Sequence, residues 1–265
     1  MTMNIAIIYS PNWAEWAAVE TYSIFKTNKG NIKVYLISDK DGIFDSSYIT
    51  DYFGDRCKIE FINAEDKFKE LIPSTINVSS RFTKYALYRL MLPELIKDDK
   101  LLHIDADALV VGDVTDLYNT NIDDYYIAGA LDIHADHYNL KKPLGLTDKD
   151  VYVNAGVLLM NLKKIREDRL QEKWIHEANT KKYMCHDQCI LNRTCKKKIK
   201  LMDNKYNVSI STGLNIEREN VRVIHYAGND KPWSNNNVPH PHFWFRTVKD
   251  YRKTFGINKS EVANG

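Results

Sequence analysis

Near the amino end, Asn4 is followed by an unbroken apolar run, Ile5-Ala6-Ile7-Ile8-Tyr9. The stretch Ala14 to Lys26 then carries Ala18, Val19, Tyr22 and Phe25 at helical spacing. A short β-branched run of this kind reads as a buried strand, and a helix directly after it opens a β-α unit. Val34 to Ile37 and Ile59 to Ile62 repeat the pattern, each followed by a segment of helical character. Such alternation calls for helices packed on a parallel sheet. The chain is therefore expected to be α/β, with a mixed, mostly parallel central sheet.

With 265 residues, 44% of them hydrophobic, the chain can bury a large core. No Pro/Gly/Ser-rich linker and no repeat divides it. One domain over 1–265 is expected, with 233–265 as a C-terminal extension or helix. Lys and Arg number 37 against 35 Asp and Glu, which offers no field for nucleic acid. Lys196, Lys197, Lys198 and Lys200 read as a solvated turn before a strand, and peripheral membrane contact gets little weight. The amino end lacks the charged and apolar regions of a signal peptide, and the longest apolar run, around Val157 to Met160, is too short to span a bilayer. A soluble, cytoplasmic protein is expected. Cys57, Cys185, Cys189 and Cys195 show no paired spacing and read as reduced thiols. The Asn-x-Ser/Thr matches at Asn77, Asn192, Asn207 and Asn258 are then chance. Nothing in the sequence bears on oligomeric state.

Tyr85, Tyr88, Leu92 and Leu95 predict a helix over 82–96 that Pro93 could kink or end. Lys100 to Ile104 returns to an apolar strand that stops at Asp105-Ala106-Asp107. Alternate strand residues share a face, so the two carboxylates are expected to converge at the strand's carboxyl end, where open α/β sheets bind ligands. Paired carboxylates repel unless a cation joins them, and oxygen ligands suit Mg²⁺ or Mn²⁺ shared with substrate phosphates. Alone, an Asp-x-Asp is most often a turn or a solvated pair; its apolar strand sets this one apart.

Three further segments stand out. The stretch from His225 to Trp233 follows a strand-like Val221 to Ile224; it offers an imidazole, Gly228 for close backbone approach to phosphate, and Lys231 as a point charge. In isolation it would more often be a turn with a packed histidine. The strand Tyr152 to Met160 opens with Asn154-Ala155-Gly156, small enough for a ligand to lie against backbone, or equally an ordinary strand with a glycine bulge. Asp187-Gln188 stands at a helix start, where Asp187 could be a cap. The polar stretch 132–149 has the length of an active-site lid or a disordered excursion, and a helical run over 166–181 completes the reading.

Taken in this order, the four segments resemble the signatures of family-eight retaining glycosyltransferases, the group that includes glycogenin and bacterial lipooligosaccharide galactosyltransferases. The resemblance runs from the first strand to Trp233. It implies a GT-A, Rossmann-like nucleotide-diphospho-sugar transferase fold, with Mn²⁺, or alternatively Mg²⁺, held by Asp105, Asp107 and His225 and bridging the phosphates of a UDP-hexose. Gly228 and Lys231 match the diphosphate site. Ser10, Asn12 and Trp13 match the uridine site, Trp13 standing for the usual tyrosine and Ser10 for a common acid. Arg89, Ala106, Asp132, Asn154, Ala155, Asp187 and Gln188 match groups around the donor, with Asp187 and Gln188 nearest the chemistry. Cys189 stands where the family usually continues with an acid.

What this implies is hexose transfer, galactose slightly preferred over glucose, to a glycan, glycolipid or protein acceptor with retention. The mechanism it suggests is front-face substitution, with donor binding ordering the 132–149 loop. A pyrophosphorylase or a dinucleotide dehydrogenase would need a glycine-rich loop after the first strand, which Ser10-Pro11-Asn12-Trp13 is not. A self-glycosylating transferase and a non-catalytic UDP-sugar-binding protein are the alternatives.

Overall fold

The structure, a computed structural model, describes residues 2–79, 83–209, 218–234 and 238–257. Phe82, residues 235–237 of the segment Ser234 to His242, and the tail with Asn258 lie outside these. In chain order the elements are β1 (Thr2–Ile8), α1 (Ala14–Thr27), β2 (Asn31–Ser38), α2 (Ser47–Phe53), β3 (Cys57–Asn63), α3 (Glu65–Leu71), α4 (Lys84–Tyr88) and α5 (Leu92–Leu95). There follow β4 (Lys100–Asp105), β5 (Ala108–Val110), α6 (Thr115–Asn119), β6 (Ile127–Leu131), β7 (Val153–Asn161), α7 (Leu162–Glu167), α8 (Leu170–Thr180) and α9 (His186–Thr194). The last are β8 (Ile199–Leu201), β9 (Val208–Ser209), β10 (Val223–His225) and α10 (Pro241–Phe255).

Seven strands form the main sheet in the order β3-β2-β1-β4-β7-β6-β8. The pairs β1–β2, β1–β4, β2–β3 and β6–β8 are parallel; β4–β7 and β6–β7 are antiparallel. The sheet is thus mixed and mostly parallel. Its strands lack polar alternation because both faces are covered: Ile5, Ile7, Leu102, Ile104, Val157 and Leu159 pack into one core, and Ala6, Ile8, Leu101, Leu158 and Met160 into the other. A second sheet, β5-β10-β9, lies immediately after the end of β4.

The α1 helix grows out of a 3₁₀ turn at Pro11–Trp13, with Glu15 in its first turn and Lys26 in its last, both favourable to the helix dipole. It ends at Asn28, whose side-chain amide bonds back to the Ile24 carbonyl at 2.9 Å. The α10 helix docks on it through Tyr22–Asp250 at 2.6 Å and Arg252–Glu15 at 2.7 Å, beside a cluster of Trp16, Trp233 and Trp244.

Several boundaries differ from the sequence expectation. The helix expected over 82–96 is α4 and α5 joined by a 3₁₀ turn, Arg89–Met91, with Pro93 in the first turn of α5, where its missing N–H costs nothing. The helix expected over 166–181 is interrupted at Arg169, which is left-handed (φ 52°) and starts α8 afresh. The 132–149 stretch is packed into the fold: Ala135, Leu140, Leu144 and Leu146 are buried in the core beside β7 and α9, and Arg193 donates to the Leu144 carbonyl. The turn 195–197 before β8 matches the expectation for the lysine cluster. Asn77 and Asn192 are buried and spend their amides on backbone carbonyls, which suits structural residues better than glycosylation acceptors. The four cysteines are free thiols, and no helix among the described residues is long and apolar enough to cross a membrane.

One residue contradicts the packing logic. Glu20, on α1, is 0% exposed, and among the described residues neither carboxylate oxygen meets a hydrogen-bond partner. Burial, then the charges of Asp107 and Asp105, push its carboxyl well above its ordinary value of 4.5. The folded state therefore holds a proton there that the unfolded state releases as pH rises past 4.5, so this site's contribution to stability falls with rising pH. We expect Glu20→Leu to gain about 1–3 kcal/mol in urea unfolding at pH 8 and less at pH 4.5. A destabilised variant, or a gain independent of pH, would count against this description of Glu20.

Candidate functional site

The site forms where β4 stops. Ile8 of β1 pairs with Asp105, so the turn carrying Ser10, Asn12 and Trp13 leaves the sheet next to the acids. Asp105 is the last residue of β4, but Ala106 and Asp107 form a turn into β5. The two carboxylates are thus not brought together by strand alternation, as the sequence suggests; the turn carries Asp107 toward the small sheet while Asp105 faces the helical side.

Each acid has its own cation. Asp105 is bonded to Arg89 and, at 3.0 Å, to Nε2 of the buried His103. Arg89 also bonds Asp187, so one buried guanidinium serves two carboxylates. Burial alone would raise Asp105; Arg89 and His103 outweigh it and hold the carboxyl below its ordinary range. Asp187, 4% exposed, goes the other way: burial prevails over the shared Arg89, Asp105 adds repulsion, and its pKa is pushed up to about 6. Asp107 is bonded to Lys231, 9% exposed, which also donates to the Tyr226 carbonyl at 2.7 Å. Burial opposes ionisation of Asp107, but Lys231 and His225 keep it well below the carboxylate range.

His225 closes the cluster. Its Nε2 lies 3.3 Å from Asp107 and 3.8 Å from Asp105, and ligand atoms of the three residues lie within 4.8 Å of one another. Two carboxylate oxygens and an imidazole nitrogen form a donor set suited to a divalent cation such as Mn²⁺. The ring lies on the backbone of Gly156: a Cβ there would come within 2.0 Å of the His225 ring. What approaches the small residues of β7 is thus the imidazole, and not only a ligand as the sequence suggests.

A third group joins β6, β7 and α9. Between the pairs Gly129–Leu158 and Leu131–Val153, one residue of β6, Ala130, is opposed by four of β7, so β7 bulges over 154–157. The Ala155 N–H, freed from the ladder, meets Gln188 Oε1 at 3.0 Å, and the Gly156 N–H meets Asn154 Oδ1 at 2.9 Å. Gln188 Nε2 donates to Asp132 at 2.9 Å and to the Tyr152 hydroxyl at 3.3 Å; Asn154 reaches Asp132 at 3.4 Å. Asn207 donates to Asn154 Oδ1 at 3.0 Å and faces His225 Nδ1 at 3.0 Å. Asp187 is not the helix cap. The α9 helix starts at His186 after Cys185, and the Asp187 carboxylate is spent on Arg89.

The structure therefore brings Arg89, Asp105, Ala106, Asp107, Asp132, Asn154, Ala155, Asp187, Gln188, His225 and Lys231 into one connected region. Trp13 joins through Lys231, whose ammonium lies 5.7 Å from its ring, and Trp233 meets that ring edge-on at 5.1 Å. Ser10 is half-buried and Asn12 exposed on the adjoining turn. Gly228 is exposed at φ 106°, a conformation that favours glycine. Sequence reasoning missed Tyr152, His103 and Asn207. Asn207 appeared only as a chance glycosylation match, and no local spacing joins it to His225.

Residues 4–237 match glycosyl transferase family 8. The chain belongs to this family. A putative glycosyltransferase of Haemophilus influenzae is 32% identical over 247 residues, 88% of this chain and 73% of that protein. A lipopolysaccharide 1,2-glucosyltransferase of Escherichia coli is 28% identical over 254 residues, again 88% and 73%. Other relatives are covered less fully: the match spans 64% of general stress protein A of Bacillus subtilis and 58% of glycosyltransferase GlyE of Streptococcus pneumoniae. The crystal structure of galactosyltransferase LgtC with donor and acceptor sugar analogs superposes with a TM-score of 0.75 over 94% of this chain and 96% of that one, at 23% identity. That likeness is one of fold, and it is the GT-A fold of a family 8 transferase.

Arg89 is the structural hinge of this electrostatics. Replacing it by Met leaves Asp105 and Asp187 without their shared cation, and unpaired buried charge costs about 3–5 kcal/mol. We expect Arg89→Met to lose that much in urea unfolding at pH 7, and Arg89→Met/Asp187→Asn to recover part of it. A loss below about 1 kcal/mol, the level of an exposed pair, would contradict the shared-cation arrangement.

Proposed function

We propose that this chain is a hexosyltransferase that takes galactose or glucose from a UDP-sugar and passes it to a glycan or glycolipid hydroxyl with retention, in one GT-A unit over 1–265 with 233–265 as its extension. The observation that carries the reading is the convergence of Asp105, Asp107 and His225, flanked by Lys231, beside the Asp187-Gln188-Asp132 group. Asp105, Asp107 and His225 would hold Mn²⁺, or Mg²⁺ in its place. Bound there, such an ion supplies positive charge to the two phosphates of the donor.

The chain's own residues account for the rest. Lys231, already beside Asp107, stands where a diphosphate would draw its ammonium onto the departing UDP. Gly228, with its positive φ, opens the neighbouring backbone to phosphate, and Ser10, Asn12 and Trp13 line the uridine end. Arg89 keeps Asp105 and Asp187 ionisable in a buried setting. Asp187, Asp132 and Asn154 face the hexose hydroxyls, with Ala106 and Ala155 as small walls. The Ala155 N–H fixes the amide of Gln188, leaving one lone pair of Oε1 to support positive charge developing at the anomeric carbon. In front-face substitution the acceptor hydroxyl gives its proton to a leaving-phosphate oxygen, so no separate base is required of the protein. A preorganised group of this kind typically contributes about 3 kcal/mol.

Leu131 and Ile133, on either side of Asp132, and Tyr138 and Met184 are exposed. Together with the Escherichia coli relative they support a surface-glycan or glycolipid acceptor, reached from the cytoplasm.

The test is UDP release from a panel of UDP-hexoses, with and without Mn²⁺ and without acceptor, for wild type and Asp107→Ala. One hexose donor should be hydrolysed in a Mn²⁺-dependent way, and the variant should lose about 100-fold or more, since even an outer-sphere partner of a metal is worth 10–100-fold. UDP release from no donor, or release indifferent to Mn²⁺ and to Asp107, would overturn the reading.

A further inference from the structure

An amide side chain turned by half a revolution exchanges its oxygen and nitrogen, so a network of amides has no inherent direction. Here a group that cannot turn provides one. The Gly156 N–H can only donate, so the Asn154 atom 2.9 Å from it is Oδ1. Asn207 reaches the same oxygen at 3.0 Å and must do so with Nδ2. Its own Oδ1 then faces His225 Nδ1 at 3.0 Å and can only accept, which places the imidazole proton on Nδ1. In the neutral ring Nε2 is then left with its lone pair toward Asp107 and Asp105, 3.3 and 3.8 Å away. Three acceptors thus converge with no proton among them, an arrangement that favours a cation. Asn207 is buried at 4% exposure on the approach to β9, and the ring rests on the Gly156 backbone in the space a Cβ would fill.

We propose that Asn207 is a positioning residue that holds His225 in its Nδ1–H tautomer and so presents Nε2 for metal binding, taking its direction from the bulged backbone of β7. Asn207 also ties this nitrogen to Asn154, which the proposed function places beside the donor sugar, so the metal ligand and the sugar pocket share one hydrogen-bond chain. The consequence for metal rests on the reading of His225 given above; the tautomer does not.

The test is the ¹⁵N spectrum of histidine-labelled protein, treated with chelator at pH 8, with His225→Gln identifying the resonances. Wild type should show a protonated Nδ1 and a bare Nε2 at His225. Asn207→Leu should shift the ring toward Nε2–H or a mixture, and Asn207→Asp, which keeps an acceptor, should restore Nδ1–H. In Mn²⁺ titrations Asn207→Leu should bind about 10–100-fold more weakly, and Asn207→Asp should retain most of the affinity. An Nε2–H tautomer in wild type overturns the proposal even if no variant folds. Unchanged Mn²⁺ affinity in folded Asn207→Leu also overturns it. Wild type that binds no Mn²⁺ would instead sink the metal reading, with the tautomer still deciding the role of Asn207.

Discussion

Two backbone N–H groups withheld from a strand ladder order the side chains of the proposed donor site. Where β7 bulges past β6, the amides of Ala155 and Gly156 turn from sheet partners to the side chains of Gln188 and Asn154. A buried N–H must find an acceptor, and here the acceptors are two residues of the proposed donor site. The bulge therefore orients Gln188 and Asn154. Through Asn207 it also reaches His225, whose ring rests on the Gly156 backbone. One irregularity in the sheet thus orders groups on α9 and β10 together.

Around that frame the charges are arranged in mutual compensation. Asp105 and Asp187 share Arg89, and Asp107 is matched by Lys231. The arrangement leaves Asp187 the least stabilised of the three, which is why burial carries its pKa to about 6 while the other two acids stay low. A nucleoside diphosphate entering with a divalent cation would find cationic side chains already in place and would not have to draw them from solvent, which keeps reorganisation small.

Much of this could be read from residue order. The unalternated runs at Asn4–Tyr9 and Lys100–Ile104 specify strands covered on both faces, and the stop at Asp105 marks the edge where function collects. The order of Asp105-Ala106-Asp107, Asn154-Ala155-Gly156, Asp187-Gln188 and His225 to Trp233 pointed to family 8. What escaped was everything that depends on distance in the fold. Asn207 touches His225 only because β9 and β10 pair, and Tyr152 touches Gln188 only because α9 lies against β7. The break of the 82–96 helix at Arg89–Met91 puts Arg89 between two acids 16 and 98 residues away, which no periodicity encodes. Likewise the 132–149 stretch reads from its polarity as a lid or a disordered excursion, and its four spaced apolar residues pack into the core.

In the proposed function Asp105, Asp107 and His225 hold a divalent cation that a nucleoside diphosphate shares. Calorimetric titration of wild-type protein with UDP, in chelator and then in saturating Mn²⁺, tests it most directly. UDP should bind at least about 10-fold more tightly with Mn²⁺, a difference of about 1.4 kcal/mol. Equal affinity in chelator and in Mn²⁺ would contradict it, because the three ligand residues would then have no part in holding the diphosphate.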